Sequence, residues 1–385
     1  MQQFSELPPL ALYIHFPWCI EKCPYCDFNS HELKQDLPEL NYINALLSDL
    51  DNELPLIWGR QIDSIFMGGG TPSLFSADSL AQLLSQLRAR LNFKPNIEIT
   101  LEANPGAVEQ ARFRAYRELG INRLSIGVQS FNQKHLQSLG RVHSAREAIK
   151  AIEIAHQAEF DNINLDLMYA LPNQTIGEAK GDIQMALAFN PNHLSHYQLT
   201  IEPNTLFYHR PPITPEEEDV IEMEITCREQ LTQAGFERYE ISAFAKPEHR
   251  CLHNLNYWSF GDYLGIGAGA HGKITDSQQQ QIQRRWKTKH PDDYMAGNYL
   301  AGHKTLSNDE VRFEFMLNAL RLIDGFDTTQ FQRHCGQPIY LAETPLKQAE
   351  QQAFIEWELN HIRPTALGLQ YLNNLTELFL PPDAG

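Results

Sequence analysis

The sequence predicts an α/β protein: a partial parallel barrel of six βα units, followed by a smaller, mostly helical C-terminal domain. Three observations lead there. Apolar runs of strand length alternate with amphipathic stretches through the first two hundred residues, which implies parallel strands joined by right-handed crossovers. The polar residues that interrupt this pattern fall at the C-terminal ends of the strands, where parallel barrels carry their chemistry. The strand-like patterning then breaks at HRPPITPEEED (209–219), a segment rich in proline and acid.

Leu10–Phe16 (LALYIHF) reads as a buried strand and 40–54 as an amphipathic helix. Ile62–Met67 is the next strand, with a helix over 80–91 after it. Ile97–Leu101 alternates with period two and leads into a helix ending at Leu119. Arg123–Val128, Ile163–Met168 and His193–Thr200 complete the set. These strands run directly into Cys19, the glycines 68–70, Glu102, Gln129, Asp166 and Gln198, so the unusual residues share one rim. Helical signals resume over Glu217–Ala234 and again from Asn308 through VRFEFMLNALRLI (311–323), with a short terminal strand near Gln370. The expected domains are 1–210 for the barrel, 211–300 as a connecting region and 301–385 as the small C-terminal domain.

Hydrophobic residues make up 42% of the chain and charged residues 21%, the balance of an ordinary folded protein. No apolar run is long enough to span a bilayer, and the first residues lack the basic start and apolar core of a signal peptide, so a cytoplasmic location is expected. With 31 Lys and Arg against 48 Asp and Glu, the formal charge is -17, which argues against nucleic acid or anionic lipid as a non-specific partner. The one dense basic group, Arg284, Arg285, Lys287 and Lys289, reads as a solvated loop.

Of six cysteines, Cys19, Cys23 and Cys26 fall within CIEKCPYC (19–26), while Cys227, Cys251 and Cys335 are scattered. Clustered cysteines in a reducing compartment more often bind metal than form disulfides. Three thiolates from one loop can hold a four-iron cluster and leave one iron open to a small chelating molecule. Zinc with His15 or His31 as a fourth ligand is the alternative chemistry.

CxxxCxxC with an aromatic residue before its last cysteine, on the first βα loop, resembles the signature of the radical S-adenosylmethionine (SAM) superfamily. The segments YIHFPWC, CPYCDFNS, FMGGGTPS, LEANP, GVQSF, LGRVH and NLDLMYALPNQT strongly resemble the HemN/HemW family, the oxygen-independent coproporphyrinogen III oxidases and their haem-chaperone relatives. The resemblance runs from about Tyr13 to Asp324. It implies a barrel of radical SAM type, a [4Fe-4S] cluster on Cys19, Cys23 and Cys26, and SAM chelating the open iron, where reduction cleaves it to a 5′-deoxyadenosyl radical. It also implies that Gly69, Gly70 and Thr71 form the SAM-contacting loop after Gly68, that Tyr25 borders the adenine, and that Tyr13 is a nearby pocket tyrosine. Glu102, Gln129, Arg141 and Asp166 would make the polar SAM contacts. Carboxylates suit ribose hydroxyls or an amino group, and Arg141 suits a carboxylate.

HNxxYW (253–258) resembles the haem-associated motif of the chaperone branch, which implies haem held near His253, Tyr257 and Trp258. A neutral imidazole is a good axial ligand, and aromatic rings pack on a porphyrin face. The residues alone favour a plainer reading, in which His253 caps a loop and Tyr257 and Trp258 fill an interface. His271, in GAGAHG, and Cys251 are further candidates. Ala243 departs from the family pattern, which has asparagine there. The oxidase branch carries a long N-terminal extension and a further cysteine soon after the third. Here eighteen residues precede Cys19, and Asp27-Phe28 follows Cys26. The expectation is therefore a haem chaperone with catalytic residues unassigned, passing haem to acceptors such as membrane respiratory enzymes. The alternatives are an oxidase-like decarboxylation of a porphyrinogen, or a radical SAM enzyme on an unrelated substrate. Subunit number is left open, a homodimer included.

Overall fold

A computed structural model describes residues 2–106 and 112–381. The six predicted strands are present as β1 (Leu10–Phe16), β2 (Gln61–Gly69), β3 (Asn92–Ala103), β4 (Arg123–Gln129), β5 (Ile163–Tyr169) and β6 (His193–Gln198), paired in parallel in that order. Between them run α1 (Glu39–Glu53), α2 (Ala77–Arg90), α3 (Phe113–Glu118), α4 (Ala145–Gln157) and α5 (Ile176–Ala188). The helices start where the side chains dictate. Ser144 and Glu147 form a reciprocal capping box on α4, and Thr175 and Glu178 form another on α5.

The sheet is larger than six strands. After α6 (Glu217–Gln233), the short strands β7 (Glu237–Arg238) and β8 (Ala243–Ala245) add antiparallel to the β6 edge. Helix α7 (Leu252–Trp258) leads into β9 (Asp262–Ile266), which pairs in parallel with β1, from Leu10 opposite Asp262 to Ile14 opposite Ile266. The cysteine-bearing strand is therefore interior, flanked by β2 on one side and β9 on the other. Strands β10 (His271–Asp276), β11 (Gln281–Lys287) and β12 (Leu300–Thr305) continue the sheet antiparallel, giving twelve strands.

Burial on both faces explains the apolar sequence of β1, where Leu12, Ile14 and Phe16 are fully buried. They belong to a core that also takes Leu46, Leu84, Ile126 and Leu165. A second core lies under α8 (Asn308–Ala319) and the elements after it, around Phe315. The Phe315 ring meets Phe260, Phe326 and Phe331 edge-on, at 5.8, 4.9 and 5.0 Å.

Two expectations are corrected. The basic group at 284–287 is a strand and not a solvated loop. Lys287 donates to Asp49 and Glu53 at 2.5 and 2.8 Å, Arg285 reaches both Glu53 oxygens at 3.0 Å, and Arg284 pairs with Glu314. Partners far away in sequence neutralise it. The terminal strand near Gln370 is instead a short helix, Ala366–Gln370, because the Thr365 hydroxyl accepts from the Gly368 N–H and starts a turn. The terminal strands lie earlier, at Ile355–Glu358 and His361–Pro364.

Candidate functional site

The loop after β1 carries the three cysteines, all half-buried and unpaired, into the mouth of the barrel. They line a cavity of about 410 Å³ together with Tyr25, Gly69, Gly70, Thr71, Glu102, Gln129, Arg141 and Asp166. The strand-end residues thus meet at one rim. Burial raises the Cys19 and Cys26 thiols above the ordinary range, Thr71 Oγ1 donating to Cys19 at 3.6 Å and Ser30 lying 3.8 Å from Cys26. A bound cation reverses that balance by stabilising thiolate.

The glycines after β2 are required by close approach. A side chain on Gly68 would meet the Glu102 carboxylate at 2.9 Å, and one on Gly70 would meet the Trp18 carbonyl at 2.5 Å. Gly69, at φ +109, donates its N–H to Glu102 Oε2 at 3.0 Å. Burial, then the nearby Asp166 charge, pushes the Glu102 carboxyl up to about 8. Burial also raises Asp166, which accepts from Ser125 Oγ at 2.9 Å and Asn164 Nδ2 at 2.8 Å. Arg141 donates to Asn104 Oδ1 at 2.7 Å, the Gly127 carbonyl at 3.0 Å and Cys23 at 3.6 Å, while its buried Nε has no partner among the described residues. Asn104 in turn donates to Thr71 at 2.8 Å. Sequence reasoning did not single out Asn104, although it lies within LEANP.

Tyr13 stands apart from this group. It lines a second, adjoining cavity of about 1270 Å³, which shares Cys26, Phe28, Gly69 and Glu102 with the first. Here lie His253, Tyr257, Trp258 and His271, with Phe66 and Tyr263 as aromatic neighbours that the sequence did not mark. The His253 ring sits 5.1 Å from Phe66 and 6.3 Å from Tyr13, and its Nδ1 is 3.2 Å from Ser64 Oγ. Burial, then Arg123, lowers His253 to about 3, so its imidazole is neutral. With the proton on Nδ1 and donated to Ser64, Nε2 keeps a free lone pair.

Cys251 and His15 are otherwise engaged. Burial pushes the Cys251 thiol up to about 12, and its sulfur is 3.7 Å from Glu98. His15 Nε2 must donate to the Asn29 carbonyl at 2.9 Å, which leaves Nδ1 to accept from Tyr13 at 3.0 Å. Neither His15 nitrogen is left for zinc. His31 Nε2 faces the Lys289 carbonyl at 3.3 Å. The departure at Ala243 falls in strand β8, where the side chain is buried.

The radical SAM superfamily domain is matched over residues 13–186. A haem chaperone HemW from Haemophilus influenzae is 48% identical over 379 residues, covering 97% of this chain and 99% of that one. The Escherichia coli haem chaperone HemW is 47% identical over 375 residues with the same coverage. This chain belongs to the HemW haem chaperone family of the radical SAM superfamily. Its fold is shared by E. coli coproporphyrinogen III oxidase (HemN), with a TM-score of 0.81 at 24% identity, covering 97% of this chain and 90% of that one. Among the described residues no helix is long and apolar enough to cross a membrane.

Proposed function

We propose that this chain is a haem chaperone that holds a [4Fe-4S] cluster and SAM in its first cavity and haem in the second. The observation that carries the reading is His253: a neutral imidazole set among aromatic rings, in a cavity that shares a wall with the cysteine loop. Cavities of several hundred Å³ lined by aromatic and a few polar groups are the usual form of cofactor sites.

The residues fit both groups. Cys19, Cys23 and Cys26 supply three thiolates and no fourth, the donor set of a cluster with one open iron. Gly68, Gly69 and Gly70 leave backbone space that a Cβ would fill, and the partnerless Nε of Arg141 has a donor to spare. When bound, the cluster and SAM supply one-electron chemistry. The protein's own groups do the positioning. Glu102 and Asp166 accept hydrogen bonds from the amino or ribose groups, Arg141 orients a carboxylate, and Thr71, Gln129 and Tyr25 complete the SAM cavity. His253 ligates haem iron, and Tyr257 and Trp258 pack on the macrocycle. Tyr13, in the wall of the second cavity, holds His15 rather than SAM.

We further place the chain in the cytoplasm, a reducing compartment that suits six unpaired thiols, handing haem to haem-requiring membrane enzymes. The test is an absorbance titration of anaerobically reconstituted protein with haem, with SAM present, alongside His253→Ala. Stoichiometric haem binding weakened by the substitution, without porphyrinogen turnover, supports the chaperone. Absence of haem binding with SAM cleavage on a porphyrinogen makes the chain an oxidase.

A further inference from the structure

The second cavity has two unlike linings. One is aromatic, with Phe66, Tyr257 and His253. The polar lining carries Lys22, Lys289 and His271, on the cysteine loop, after β11 and at the start of β10, together with the carboxylates Asp27, Glu102 and Glu202. Among the described residues Lys289 makes no ion pair or side-chain hydrogen bond, and Lys22 donates to the Phe28 and Ser30 carbonyls at 3.1 and 3.3 Å. Burial first, then Arg284 and Lys289, lowers His271, with no carboxylate offsetting them.

Resting on the haem-binding reading above, we propose that Lys289, with His271 and Lys22, forms an anion clamp that binds the two propionate carboxylates of haem while His253 takes the iron. A haem is an apolar plane with both carboxylates on one edge, so its face can meet the aromatic residues while that edge meets the two lysines. A chain of contacts links the His253 region of the cavity to the backbone of Lys289. His253 lies 6.3 Å from the Tyr13 ring, Tyr13 holds His15 at 3.0 Å, His15 holds the Asn29 carbonyl at 2.9 Å, and Asn29 Nδ2 donates to the Lys289 carbonyl at 2.9 Å. Charge-assisted bonds to carboxylate are the stronger class of hydrogen bond. The clamp would also set specificity, favouring tetrapyrroles that keep free carboxylates.

The experiment compares haem with haem dimethyl ester, whose propionates carry no charge, on cluster-loaded protein. The proteins are the parent, Lys289→Gln, Lys289→Gln/His271→Gln and His253→Ala. Lys289 and His271 are exposed, and the cluster absorbance per chain reports an intact fold. The parent is expected to bind haem at least tenfold more tightly than the ester. The double variant is expected to lose that preference, with affinity for the ester unchanged, while His253→Ala weakens both. Equal binding of haem and ester by the parent overturns the clamp and leaves the haem reading standing. So does a double variant that keeps the preference, or one that loses haem and ester alike. A parent that binds neither overturns both.

Discussion

Replacing Gly69 by alanine tests the close packing on which the barrel mouth depends. The residue sits at φ +109, outside the regions open to residues with a Cβ, and such strain costs about 1–3 kcal/mol. The added methyl would lie 2.4 to 2.8 Å from three atoms of the His15 ring. That ring cannot swing aside freely, since its nitrogens are held by Tyr13 and Asn29, and each lost hydrogen bond costs about 1 kcal/mol. The sum is a destabilisation of about 3–5 kcal/mol. The assay is the urea midpoint at unchanged slope, with SAM affinity of the reconstituted protein measured beside it. Gly177→Ala is the control, because that glycine lies in helix α5 with open space around it, and a gain of about 0.5–1 kcal/mol is expected there. A Gly69→Ala protein within about 1 kcal/mol of the parent, with unchanged SAM affinity, would refute the reasoning.

Other consequences can be measured in the same way. The Glu102 carboxyl, raised to about 8 from 4.5, favours its neutral form, so the fold binds more protons than the unfolded chain between those values. Stability of the cofactor-free protein therefore falls as pH rises through that window, and Glu102→Gln flattens the fall in urea midpoints taken at pH 6, 7 and 8. Asp262 is fully buried and accepts from Arg60 at 2.7 Å, Lys273 at 2.8 Å and Thr275 at 2.9 and 2.8 Å. Asp262→Asn strands the buried Lys273 charge and costs about 3–5 kcal/mol in urea unfolding. Cys23→Ala abolishes the bound iron measured after reconstitution, whereas Cys227→Ala, in the core under α6, leaves iron per chain unchanged.

The six barrel strands were legible because strands buried on both faces leave uninterrupted apolar runs, and Leu10–Phe16 is such a run. The cysteine loop and glycine loop were legible because their chemistry is local. What escaped depends on distant partners. Strand β9 opens on Asp262, a buried charge that makes sense only beside Arg60 and Lys273, and it runs into GAGAHG, which reads as a turn. Strand β11 looked like a solvated basic loop until Asp49 and Glu53 of α1 reached it. Asn104 gains its part by standing between Thr71 and Arg141, two residues from different strand ends. Lys289 reaches the site because its carbonyl is pinned by Asn29, 260 positions away. Such approaches are products of the closed fold.

The interior position of β1 has a consequence for synthesis. Leu10–Phe16 emerges from the ribosome well before its neighbour β9, which is complete only once residue 266 has been made. At about 5–20 residues per second, the 252 positions between Leu10 and Asp262 take about 13–50 s to translate. Asn29, just past the last of the three cysteines, donates to the carbonyls of Ala268 and Lys289, so the loop is pinned later still. For that interval the nascent chain carries its three thiols on an unfinished support. A chain truncated before residue 289 would leave the three cysteines without the support that keeps them half-covered in the finished protein.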